Sequence, residues 1–108
     1  MKYIKTYENL EIEPKVGDYV ICDDSRAKDH IILRDFINNN IGRLNHIDKE
    51  DPMPYDIEYK NIPYELSSFY FGFNGRKNNR IMNRTEIIYF SKSKEDVEQY
   101  LQNKKFNL

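Results

Sequence analysis

The sequence predicts a mainly β domain, with about five short strands in a small antiparallel barrel, one inserted helix and one closing helix. Three observations carry this. The chain has 108 residues, one domain's worth, and can bury roughly two-thirds of its unfolded surface without a staple. Period-two alternation of apolar and polar residues recurs in short segments bounded by Pro, Gly, Asn and Asp clusters. Those segments follow one another without the crossover helix that each pair of parallel strands needs.

Residues 1–14 are expected to form a terminal arm, packed on the barrel by Ile4, Tyr7, Leu10 and Ile12. Val16-Gly17-Asp18-Tyr19-Val20-Ile21-Cys22 is the first strand, entered from a Pro/Gly turn and rich in β-branched and aromatic residues. Asp23-Asp24-Ser25 breaks it. Ser25, with Asp29 nearby, is placed to cap a helix, and Ile32, Leu33, Phe36 and Ile37 follow as an amphipathic stripe, so a helix is predicted over about 27–38. Asn38-Asn39-Asn40 supplies its stop, since Asn tolerates the left-handed conformation.

Ile41-Gly42-Arg43-Leu44-Asn45-His46-Ile47 is the next strand, with Gly42 marking a bend or a close backbone approach. Two prolines exclude residues 48–54 from any ladder. In Tyr55-Asp56-Ile57-Glu58-Tyr59-Lys60 the alternation is unbroken, so Tyr55, Ile57 and Tyr59 share a face. Phe69, Phe71 and Phe73 read as one face of a strand entering an Asn74-Gly75 hairpin, which returns through Arg80-Ile81-Met82. Thr85-Glu86-Ile87-Ile88-Tyr89-Phe90 is the final strand, so the barrel spans residues 15–92. Over 93–108 a helix is capped by Ser93, buries Val97, Tyr100 and Leu101, and ends near Lys104-Lys105.

Composition narrows the function classes. With 39% hydrophobic, 14% aromatic and 32% charged residues, the chain is polar but too aromatic for disorder. It has no apolar run of about 18 residues for a membrane span, and its first residues lack a signal peptide's apolar core, so a cytoplasmic protein is expected. The single cysteine, Cys22, excludes an internal disulfide framework. The net charge of −1 hides a gradient: −2 over residues 1–35, −3 over 36–66 and +4 over 67–108. Ile (13), Asn (12), Lys (11), Tyr (9) and Phe (6) supply nearly half of the chain, while Ala occurs once. That is the signature of adenine- and thymine-rich codons and points to an AT-rich bacterium or its phage.

Catalytic constellations are not expected. His30 and His46 are sixteen residues apart, without zinc-motif spacing, and Cys22 reads as a small buried hydrophobe, so neither a metal nor a cofactor is expected. Asp23-Asp24 and Glu50-Asp51 fall at turns and read as solvated acids rather than an acid–base pair. Gly72 and Gly75 do not precede a helix as a phosphate loop would, and nothing places a base beside Cys22.

The informative stretch is basic. Residues 76–84 carry Arg76, Lys77, Arg80 and Arg84, with no acid between Ser67 and Thr85 and with Tyr70, Phe71 and Phe73 just before them. Such a hairpin suits either an acidic protein surface or nucleic-acid phosphates and bases. Of the tyrosines in or near the strands, some fill the core and others face outward. Arg76, Lys77, Arg80, Arg84, Tyr55, Tyr64 and Tyr70 are therefore the candidate partner-binding residues.

Val16-Gly17-Asp18-Tyr19-Val20, Ile41-Gly42-Arg43-Leu44, Tyr55-Asp56-Ile57-Glu58-Tyr59 and Arg84-Thr85-Glu86-Ile87 occur in an order similar to that of small SH3-like barrels of the KOW and Tudor type. The resemblance covers roughly residues 14–91, with a longer stretch at 23–40 than a minimal KOW unit has. The Lys/Tyr-rich start and the charged C-terminal segment also resemble small proteins of tailed phages with AT-rich genomes. The resemblance implies ligand recognition through an aromatic surface. The expected function is a non-enzymatic module that binds a protein partner, either a virion component or a host or defence factor. The alternative is a KOW-like nucleic-acid binder using the hairpin at 76–84.

Overall fold

In the computed structural model, which describes residues 13–27, 29–72 and 77–106 (backbone alone at 67–69 and 105–106), the alternating segments form one five-stranded antiparallel sheet. In chain order the elements are β1 (Tyr19–Cys22), α1 (Ile31–Asn39), β2 (Gly42–Ile47), β3 (Tyr55–Glu58), α2 (Tyr64–Tyr70), β4 (Asn79–Met82), β5 (Ile87–Ser91) and α3 (Lys94–Phe106). Single 3₁₀ turns occupy Ser25–Ala27 and Arg84–Glu86. The strand order is β4-β3-β2-β1-β5, so four strands meander and the fifth returns to the far side of the first. The chain is thus mainly β with minor helix, and among the described residues the ladder is open at β4 and β5.

Alternation sorts the side chains onto two faces. Val20, Cys22, Leu44, Tyr55, Ile57, Tyr59, Met82 and Ile87 bury one face against Leu33 and Ile37 of α1, Leu66 of α2, and Phe71. The rings of Phe36, Tyr59 and Phe71 meet in tilted and edge-on contacts with centroids 5.8–5.9 Å apart, the geometry aromatic quadrupoles favour. Ile21, fully buried, belongs to the other face, where α3 packs on β1 and β5. There Val97 is buried and Tyr100 stacks on Tyr89 at 4.4 Å. Irregularities at Ile21/Cys22 against β5 and at Leu44/His46 against β3 bend the ladder.

Several local expectations are corrected. The inserted helix begins at Ile31 rather than at 27, because His30 is its cap: His30 Nδ1 accepts from the Leu33 N–H at 3.2 Å. Its end is extended at Asn40 rather than left-handed, and the side chains of Asn39 and Asn40 donate to the Asp35 and Phe36 carbonyls, both at 2.9 Å. Phe69 does not lie on a strand. Residues 64–70 are helical, entered from Pro63, and the four-residue spacing of Leu66 and Tyr70 prevails over the period-two pattern of the phenylalanines. The last strand starts at Ile87 rather than Thr85, because Asn83 and Glu86 close a reciprocal capping box around the turn between them. The strand at 55–60 keeps its face assignment, but Asp56 on the opposite face is also buried and accepts from Asn79 Nδ2 at 2.7 Å. Ser93 does cap α3, accepting from the Asp96 N–H at 3.3 Å. The arm up to residue 12 and the Asn74-Gly75 turn lie outside the described residues. No helix among the described residues is long and apolar enough to cross a membrane.

Gly42 allows β2 to approach β3 and the Tyr59 ring closely. A Cβ at this position would collide with Ile57 Cγ2 and lie 3.0 Å from the Tyr59 ring. Gly42→Ala is therefore expected to cost about 1–3 kcal/mol through overpacking, read as a lower urea midpoint at unchanged slope. An unchanged midpoint would show that Ile57 and Tyr59 move aside freely.

Candidate functional site

The first charged cluster of the molecule is internal. After Cys22 the chain leaves the ladder, the Asp23 N–H donates to the Glu86 carbonyl at 2.8 Å, and the turn at Ser25–Ala27 directs the Asp24 carboxylate inward, where it is fully buried. Arg80 meets it from β4. Its register opposite Ile57 puts it on the core face, where Nε ion-pairs with Asp24 Oδ2 and Nη1 donates to the Tyr70 carbonyl at 2.7 Å. Arg26 completes the Asp24 site, donating its backbone N–H at 3.0 Å and placing Nε 3.4 Å from Oδ1, while its Nη2 donates to the Ile81 carbonyl at 2.6 Å.

Glu86 is buried beside it. Its carboxylate accepts from the Ser25 N–H and hydroxyl at 3.2 and 3.0 Å and from the Asn83 N–H at 2.9 Å, and lies 3.5 Å from Arg26 Nε. Two buried carboxylates are thus matched by two guanidinium groups and several N–H and O–H donors, the condition under which charge is tolerated away from water. The expectation of Asp24 as a solvated turn acid is corrected: it is a structural counter-ion. Asp23, its neighbour, is half-exposed and takes a two-point contact from Arg34 at 3.1 and 3.2 Å.

The seven candidate partner-binding residues do not form one surface. Arg76 lies outside the described residues. Lys77 is exposed in the turn before β4. Arg80 is bound inward as above. Arg84 ion-pairs with Glu13 at 3.3 Å, donates to the Ile87 carbonyl at 3.1 Å and lies over the Phe90 ring at 5.3 Å. Tyr55, buried in the core, donates its hydroxyl to the same Glu13 at 3.0 Å; burial, then that carboxylate, raises its pKa. Glu13 is therefore what brings two of the candidates together. Tyr70 packs edge-on against the His30 ring at 4.7 Å. Tyr64, at the start of α2, is 90% exposed.

The helices on the core face carry a feature that the sequence reading missed. Leu33 and Ile37 turn α1 inward, which rotates Ile31 and Ile32 outward, 80% and 56% exposed. Ile32, read as part of the buried stripe, is therefore corrected to a surface residue. The His30–Tyr70 ring contact joins the start of α1 to the end of α2, so the two helices form one layer, with Ile31 and Ile32 next to that contact and Tyr64 at the far end of α2. His46 is exposed on β2, and no group of three or more His, Cys, Asp or Glu among the described residues is placed to hold a metal ion.

Cys22 is the remaining nucleophile, and burial pushes its thiol pKa up to about 12. The Tyr59 hydroxyl beside it is fully buried, and burial, then the neighbouring Cys22, holds its pKa well above the ordinary range. Both groups are inert in the folded chain.

Two outcomes are expected. Asp24→Ala leaves Arg80 buried without its counter-ion and is expected to cost about 3–5 kcal/mol in urea unfolding, with Asp24→Leu/Arg80→Met restoring most of it. A loss below about 1 kcal/mol would mean that water already solvates the pair. The unfolded chain releases the Cys22 proton near 9.0 whereas the folded chain holds it to about 12, so stability should fall as pH rises through that interval. Cys22→Val should flatten part of that fall, with Tyr59, Tyr55 and Tyr89, whose pKa values burial also raises, contributing to the remainder; an unchanged slope would remove Cys22 from the explanation.

No family model, no curated protein and no solved structure matches the chain.

Proposed function

We propose that this chain is a non-enzymatic protein-interaction module on an SH3-like frame, and that its contact surface is the helical layer rather than the basic stretch at 76–84. The observation that carries this reading is the exposure of Ile31, Ile32 and Tyr64 on α1 and α2. Burying one such aliphatic side chain is worth about 1.5–3 kcal/mol, and tyrosine is among the residues most often decisive at protein interfaces. Partly exposed Ile and Tyr side chains on one layer are what a complementary apolar surface would cover. A virion component or a host or defence factor is the expected class of partner.

The nucleic-acid alternative draws less support. Arg80 neutralises Asp24 and Arg84 neutralises Glu13, so two of the four cations assigned to phosphates already have carboxylate partners. The SH3-like frame is supported by the return of β5 to β1 and by the way Arg80 draws β4 towards the end of β1.

Affinity capture with the wild-type chain and with Ile31→Asp/Tyr64→Ala, both checked for equal far-UV dichroism, tests the reading. The wild type is expected to enrich one protein whose recovery falls about tenfold or more in the double variant and stays unchanged in Lys77→Glu. Equal recovery by both baits would overturn it. So would loss in Lys77→Glu alone, or retention of nucleic acid that disappears with salt.

A further inference from the structure

The face of the sheet turned away from the main core carries a second organised surface. Antiparallel register aligns Ser91, Tyr19, Arg43, Glu58 and Asn79 in one row across all five strands. α3 packs over β5 and β1, and beside it Tyr19, Arg43 and Glu58 floor a groove of about 420 Å³, within the size range of ligand clefts. Lys94 of α3 and Lys60, just after β3, also line it.

The charge in this groove is unbalanced. Among the described residues no ion pair joins Arg43, Lys60 or Lys94 to a carboxylate, although Glu58 is the direct cross-strand neighbour of Arg43. The Arg43 guanidinium instead lies over the Tyr19 ring at 5.2 Å, and its Nε reaches the Gly17 carbonyl at 3.4 Å. A guanidinium held flat on a ring is pre-ordered, so binding a carboxylate costs it less rotamer freedom. Three cations against one carboxylate leave the groove with an excess of two positive charges on a chain whose total is −1.

The neutral groups lining the groove favour one class of ligand. Asn39 and Asn40 spend amide N–H donors on the end of α1, so what they have left to offer includes their carbonyl oxygens. With Glu58 they make a set of acceptors beside the cations. A peptide with acidic side chains supplies both complements, carboxylates for the cations and backbone N–H groups for the acceptors. A phosphodiester backbone presents only acceptors, and the face of the Tyr19 ring under Arg43 is not open for a base to stack on.

We propose that this groove binds an acidic segment of a partner protein, with Arg43, Lys60 and Lys94 receiving its carboxylates. Recognition of acidic motifs by a cluster of cations is an established mode of peptide binding. The groove is lined by none of Ile31, Ile32 and Tyr64, so its failure and the failure of the helical layer are separately visible.

Fluorescence anisotropy with labelled hexaglutamate tests the proposal, with an oligothymidylate of equal charge as the competing probe. Saturable hexaglutamate binding is expected, weakening with salt, with amide shifts of the wild-type chain concentrated at Gly42, Asn61 and Lys94. Arg43→Glu/Lys60→Glu, compared with the wild type at a temperature where far-UV dichroism shows both folded, should weaken binding about tenfold or more. Lys49→Glu/Lys77→Glu, an equal change of charge elsewhere, should leave it within about twofold. Absence of saturable binding at millimolar protein, equal weakening in both double variants, or tighter binding of the oligothymidylate would each overturn it.

Discussion

A carboxylate removed from water has to be met by a counter-charge or by hydrogen bonds, and in this fold fully buried Asp24 is met by a cation from another strand. Asp24 follows β1, while its partner Arg80 sits on β4, and β2 and β3 lie between those strands in the ladder. The pair therefore ties together two parts of the sheet that the ladder does not join directly. Irregularities at Ile21/Cys22 and Leu44/His46 add local twist between them. Arg26 and Glu86 extend the constraint, fastening the turn after β1 both to β4 and to the turn before β5. Buried ion pairs add little net stability over an apolar replacement, but they penalise arrangements that leave either charge unmatched.

That constraint redistributes the charge on the surface. Of the arginines in residues 76–84, the two that the structure describes point different ways: Arg80 faces the core and Arg84 grips Glu13 beside the buried Tyr55. The free positive charge gathers instead on the opposite face of the sheet, where Arg43, Lys60 and Lys94 come from three separate parts of the chain. Apolar exposure has a different origin. α1 is a short helix with two fully inward positions, Leu33 and Ile37, and the isoleucines preceding them are turned outward and exposed. Ile31, Ile32 and Tyr64 on the one hand and the cations of the groove on the other are different residues, so the proposed interactions need not compete.

Between these surfaces the core is closely fitted. Gly42 leaves room for Ile57 and the Tyr59 ring, and Tyr59 in turn meets Phe36 and Phe71. Because α1 and α2 reach the sheet through this aromatic group, the position of the helical layer depends on a backbone approach that only the smallest residue allows.

Much of the framework was legible in the sequence. The strands at 19–22, 42–47 and 55–58, the shared face of Tyr55, Ile57 and Tyr59, the close approach at Gly42 and the Ser93-capped helix follow from alternation, capping and residue size, all of which act over a few residues, whereas the burial of Tyr55 came only with the fold. Asn83-x-x-Glu86 was a readable capping signal, although Thr85 and Glu86 read more naturally as strand. Two local codes competed at 64–71, and tertiary burial of Leu66 and Phe71 decided for a helix. What no local pattern contained was the fate of the charges. Whether Asp24 is solvated or buried depends on Arg80, fifty-six residues away, and whether Arg43 is neutralised depends on the strand register. The sequence by itself determined which segments become strands and which faces they bury. Tertiary structure alone decided which charges cancel and which stay unpaired at the surface, because electrostatics act through space between residues that only folding brings together.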